Sequence, residues 1–91
     1  MKRVKFVEKT NIIPERLIGT KWKSWSEFLG ERMTVEFIDE SNCVYISKPR
    51  KYPMTYTVTG GILNIMELSR SFELRGDVLF NNDIPAFERT A

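Results

Sequence analysis

Residues 54–66 read MTYTVTGGILNIM, and their reading decides the fold. Met54, Tyr56 and Val58 alternate with Thr55, Thr57 and Thr59, the period of two expected of a strand with one buried face. Gly60-Gly61 follows. Glycine reaches positive φ without steric cost, so the pair suits a two-residue hairpin turn. Leu63 and Ile65 then resume the apolar face, with Ile62, Asn64 and Met66 opposite. The stretch is a predicted β-hairpin.

Working outward, residues 32–38 (RMTVEFI) form the next clear strand, with Met33, Val35 and Phe37 on one face. Asp39-Glu40-Ser41-Asn42 is a predicted four-residue turn, since Asp, Ser and Asn bond their own backbone. Residues 43–47 return with Val44 and Ile46 inward and Cys43, Tyr45 and Ser47 outward. Residues 48–53 (KPRKYP) hold two prolines and three basic residues, which predicts a loop. Upstream, residues 20–26 (TKWKSWS) make a strand with Trp22 inside. The connection at residues 27–31 offers Phe28 and Leu29 as caps on one end of the core. Pro14 and Glu15 suit the start of a single helical turn that Gly19 ends. Val4 and Phe6 fit either a short first strand or a basic arm. Downstream, Phe72 and Leu74 mark a strand, Gly76-Asp77 a turn and Leu79 a short strand. Residues 81–85 read as a loop, and residues 86–89 as a last strand through Phe87.

Seven to nine short strands spaced about ten residues apart indicate an all-β antiparallel protein. Sequential hairpins favour an up-and-down meander closed into a small barrel or half-barrel, with one helical turn before the first main strand. The 91 residues make one domain. Residues 1–16 are an N-terminal arm and helical turn, and residues 17–89 the barrel core.

Composition removes several classes of function. There is no histidine, which takes away the commonest general base and metal ligand. One cysteine, Cys43, excludes an intrachain disulfide, and no metal or cofactor is expected. A net charge of +2, from 14 basic and 12 acidic residues, is too balanced to argue for nucleic acid. The one basic, aromatic-flanked stretch, Lys48 to Tyr52, reads as a solvated turn. No apolar run approaches the roughly 20 residues of a membrane span. The start, MKRVKFVEKT, lacks the apolar region of a signal peptide, and the compartment stays open.

Leu17-Ile18-Gly19-Thr20-Lys21-Trp22, followed by meander strands and ending in Phe87-Glu88-Arg89, resembles the small bacterial lipocalin-like (calycin-type) β-barrel domains. Their shared mark is a glycine just before a first-strand tryptophan and an arginine on the last strand; here the spacing is Gly-x-x-Trp. The resemblance implies a barrel or half-barrel whose first and last strands meet; closure would then set Arg89 across the face of Trp22 as a closure pair, the alternative being a core Trp22 and a solvated Arg89. A barrel of about eight strands has an interior either filled by side chains or holding one small ligand.

The function expected is non-enzymatic binding. One form is capture of a small hydrophobic molecule inside the barrel, with Trp22, Phe37, Tyr56, Glu67 and Phe72 as ligand contacts. Tyr56 supplies a polar group, and Glu67, in phase with Leu63 and Ile65, points toward a mouth unless a twist of the strand end carries it to solvent. The plain alternative for this apolar interior is a packed core. The other form is a protein–protein contact or homodimer through an outer apolar face, with Tyr45, Ile62, Val78 and Phe80 as contacts. No catalytic constellation is present: the serines have no histidine to activate them, and no neighbour lowers the pKa of Cys43.

Overall fold

The structure, a computed structural model, describes residues 9–28 and 31–91. They form one short helix and nine strands: β1 (Lys9–Thr10), α1 (Pro14–Leu17), β2 (Lys21–Phe28), β3 (Glu31–Phe37), β4 (Asn42–Ser47), β5 (Arg50–Thr59), β6 (Ile62–Ile65), β7 (Arg70–Arg75), β8 (Val78–Asn81) and β9 (Ile84–Arg89). Strands β2 to β9 pair antiparallel in chain order. β9 then pairs back onto β2, with Trp22 opposite Arg89, Lys23 opposite Glu88 and Ser24 opposite Phe87. The meander is therefore a closed eight-stranded barrel, the all-β up-and-down fold that the hairpin pattern predicts. β1 lies outside it, on the half of β7 that β6 leaves free, with Lys9 opposite Arg75 and Thr10 opposite Leu74. Ile12 N–H donates to Gly61 O at 3.1 Å, so the segment before α1 is tied to the barrel. Val4, Phe6, Leu29 and the Phe28 side chain lie outside the described residues.

Tight turns set the register. Thr59 pairs with Ile62 around Gly60-Gly61, whose φ values of 59° and 77° meet the two positive φ angles that such a turn needs. Asn81 pairs with Ile84 around Asn82 and Asp83, at φ 49° and 65°. These residues tolerate the left-handed region better than most. The expected loop at residues 81–85 is thus only two residues long, and β9 begins at Ile84. Ser47 likewise pairs with Arg50 around Lys48-Pro49, a cis peptide, so most of the expected loop at residues 48–53 is strand. Pro53 is tolerated there because its missing N–H falls on the open edge. Two residues on, on the same edge, the Thr55 N–H turns away from β4 and donates to Glu67.

The orientation of β4 corrects the sequence reading. Phe37 pairs with Cys43 and Val35 with Tyr45, so the turn after β3 is one residue shorter than expected. Ile38 and Asp39 N–H both donate to Asn42 O, while the Asp39 carboxylate accepts from the Ser41 and Asn42 N–H groups. A one-residue change in register moves every side chain of a strand to the other face. Cys43 is therefore 1% exposed and Tyr45 packs on the core, whereas Val44 and Ile46 face outward.

The remaining core follows the alternation: Trp22, Met33, Val35, Phe37, Tyr56, Leu63, Ile65, Phe72, Leu79 and Phe87 are buried. Ile12 and Leu17 join them from the segment around α1. Phe37 and Tyr56 meet edge to face at 5.0 Å, and Phe72 and Phe87 at 5.7 Å. Such pairs add about 0.5–1.5 kcal/mol beyond area burial. Among the described residues no helix is long and apolar enough to cross a membrane.

Gly60 and Gly61 separate two effects. A Cβ on Gly60 meets nothing within 4 Å, but one on Gly61 falls 2.6 Å from Asn11 Oδ1 and 3.2 Å from Asn11 Cα. We expect Gly60→Ala to cost about 1–2 kcal/mol in urea denaturation, the strain of a left-handed residue alone. Gly61→Ala is expected to cost more, and Asn11→Ala to recover part of the difference; equal losses would show that Asn11 is not held against the turn.

Candidate functional site

The two ends of the barrel differ. At the end bearing α1, the chain runs inward as Leu17-Ile18-Gly19-Thr20-Lys21-Trp22. Gly19, at φ 82°, lets its N–H reach Phe37 O at 2.8 Å. The Thr20 hydroxyl donates to Leu17 O and accepts from the Trp22 indole N–H at 2.8 Å. Buried Thr20 thus satisfies the one polar group of Trp22, and the end is plugged by Ile12, Leu17 and Trp22. A hollow of about 210 Å³ lies there, between Ile12, Trp22, Leu74 and Arg89.

The opposite end is less filled by the described residues. It carries the β4–β5, β6–β7 and β8–β9 turns, and it holds a cleft of about 430 Å³. Strand lengths explain it. β2, β3 and β5 run 8, 7 and 10 residues, whereas β6 and β8 run 4 each, so one side of the wall overhangs the other. The cleft lies under that overhang, with Tyr45 and Ser24 on the long side and Leu68, Arg70 and Ile84 on the short side. Phe72 and Phe87 form its floor. Small side chains at Ser24 and Ala86 keep the space unfilled.

The polar groups of the cleft are few. Ser24 Oγ accepts from Met33 N–H at 2.8 Å, and Asn81 Nδ2 donates to Ser71 O at 2.9 Å. Burial pushes the Tyr45 phenol above its ordinary pKa, so it is a proton donor at neutral pH. Arg70 pairs with Ile65 across β6 and β7 and so sits on the inward phase, at the lip where it meets solvent.

The ligand contacts expected from the sequence are dispersed. Phe72 lines the cleft, and Trp22 lines the small hollow at the other end. Phe37 and Tyr56 are 1% exposed and packed on each other, and the Tyr56 hydroxyl donates to Asp39 O. Glu67 is exposed. Its carboxylate accepts from Thr55 N–H at 2.7 Å, and that bond holds it below the usual carboxylate pKa. Trp22 and Arg89 stand opposite each other in the closing ladder, but the Arg89 Nε donates to Ala91 O. The cation–π contact among the described residues is Arg75 over Phe80, at 4.6 Å.

The expected interface residues do not form one patch either. Tyr45 faces inward. Ile62, Val78 and Phe80 are half-buried, and β7 runs between β6 and β8 with Ser71, Glu73 and Arg75 on the same outward phase. Arg75 binds Glu73 and Asp83 there. Of the described cleft residues, Phe72 alone was an expected ligand contact; Tyr45 and Arg70 are the two missed ones that carry a phenol and a charge. Arg70 was legible, because it is in phase with Phe72 and Leu74; Tyr45 was hidden by the length of one turn.

Comparison of the chain with protein-family models, curated proteins and solved structures finds no significant match. Among the described residues no three of His, Cys, Asp and Glu gather as metal ligands.

Two buried groups make stability fall in alkali. Burial, with a smaller contribution from Glu67, pushes the Cys43 thiol from 9.0 up to about 11. Burial likewise pushes the Tyr56 phenol from 10.0 to about 12. Both pKa values are raised in the folded state, so the stabilisation is complete below the unfolded values and is lost as pH rises through the folded ones. Urea denaturation should show stability declining from about pH 9 to pH 12, and Tyr56→Phe should flatten the upper part of that decline. An unaltered slope in Tyr56→Phe would mean that the phenol ionises as freely in the native protein as in the unfolded chain.

Proposed function

We propose that this protein is a non-enzymatic, lipocalin-like binding domain that holds one small, largely apolar molecule in the cleft at the open end of its barrel. The observation that carries the reading is that cleft: about 430 Å³, floored by Phe72 and Phe87 and edged by a few polar groups. Ligand sites are commonly apolar hollows of roughly 300–1,000 Å³ with a small number of placed polar groups. The closed meander and the glycine that precedes Trp22 are compatible with a lipocalin-like barrel. Binding at this end leaves the plug around Trp22 undisturbed, so the fold does not have to open for a ligand to enter.

A bound ligand stabilises the native state by mass action. At a hundred times its Kd it contributes about 2.7 kcal/mol, on the order of ten degrees of Tm for a domain this small. A thermal-shift screen of small neutral hydrophobes should therefore find compounds that raise Tm. Ala86→Trp, which fills the cleft, should abolish the shift, whereas Ile12→Val at the plugged end should leave it. If no compound shifts Tm, or if Ala86→Trp binds as the parent does, the cleft is not the site. Protein–protein contact through the outer face is the second reading, and light scattering at rising concentration would then show self-association.

A further inference from the structure

We infer that the molecule held in the cleft carries one anionic head group, such as a carboxylate, on an apolar body, and that Arg70 and the Tyr45 hydroxyl receive that head. The inference rests on the cleft being the binding site and adds the chemical class of what it binds.

Arg70 is the one charged side chain among the described residues that line the cleft. It occupies an inward strand position opposite Ile65, two residues before Phe72, which is 2% exposed. A strand that continues toward a core ordinarily places an apolar residue there. Among the described residues of β7 and its adjoining turns, the carboxylates are engaged elsewhere: Glu67 with Thr55, and Glu73 and Asp83 with Arg75. No ion pair or hydrogen bond joins the Arg70 guanidinium to any of the described residues. Arg32 and Arg75, in contrast, are both paired, Arg32 with Glu88 at 2.6 Å.

The Tyr45 hydroxyl also has no hydrogen-bond partner among the described residues, and it lines the same cleft. A phenol held protonated offers a hydrogen to an anion and is repelled by nothing that the anion brings. A guanidinium presents parallel N–H donors that match the two oxygens of a carboxylate. The other lining residues, Leu68, Phe72, Ile84, Pro85, Ala86 and Phe87, match an alkyl chain or an aryl ring. The cation is at the lip and the apolar floor lies deeper, so the ligand enters tail first and its head stays near solvent.

Three probes with one tail and different heads test this: decanoate, decanol and decyltrimethylammonium, titrated calorimetrically into the full chain. In a cleft without a working cation, decanol, the least water-soluble, binds tightest. We expect decanoate to bind tightest and the ammonium weakest, with added salt weakening decanoate alone. Arg70→Gln should lower decanoate affinity by roughly five- to tenfold, the smaller range suited to a solvent-facing arginine, and leave decanol unchanged. Tyr45→Phe should lower decanoate affinity by a smaller factor, also without effect on decanol. Arg70 has no partner in the fold, so the Tm of Arg70→Gln should match the parent. Decanol binding as tightly as decanoate, or Arg70→Gln leaving decanoate unchanged, overturns the anionic head while the apolar cleft stands. Failure of all three probes to bind removes the cleft as a site, and this inference with it.

Discussion

The hydrogen-bonded ladder between β2 and β9 is the constraint on which the rest of the molecule depends. Without it the meander is an open sheet with one face to cover and two edges exposed to other chains. With it, the alternate residues of eight strands converge on one interior. The ladder is placed by Trp22 opposite Arg89 and Ser24 opposite Phe87. It is reinforced from the next strand by Arg32, whose guanidinium reaches across β2 to bond both Ser24 O and the Glu88 carboxylate. These groups are partly exposed, so the ion pair contributes little energy by itself. Its effect is to hold three strands in register at the seam.

Closure with strands of unequal length has a second consequence. β5 is 10 residues long and β6 is 4, so the two walls cannot end at the same height. At the α1 end, Leu17, Ile12 and Trp22 fill the opening, and Thr20 removes the remaining polar demand of the indole. At the other end, among the described residues, a cleft is left between the walls. The short side stops at Arg70 and Ile84, while Tyr45 and Ser24 continue above it.

The hairpin at residues 54–66 was legible because Gly60-Gly61 leaves the register no freedom: two residues in one turn type determine which side chain faces which. The same logic failed at Asp39-Glu40-Ser41-Asn42. Several turn lengths suit that composition, and Asn42 belongs to the strand rather than to the turn. That single residue exchanges Tyr45 and Cys43 with Val44 and Ile46. It also decides that a tyrosine hydroxyl, not a valine, looks into the cleft. Phe72 was the one expected ligand contact that lines it, because its strand phase did not depend on an ambiguous turn.

Composition and alternation by themselves determined an all-β meander, a largely apolar interior and the absence of histidine chemistry. These follow from a period of two and from residue identity, which are local properties. Which interior residues fill space and which border it was decided only in three dimensions. Phe37 and Tyr56 pack on each other, whereas Arg70, Tyr45 and Phe72 come from β7 and β4 to edge one opening. A cleft is the volume that strands of different length leave when the barrel closes, and no window of sequence shorter than the whole circuit contains it.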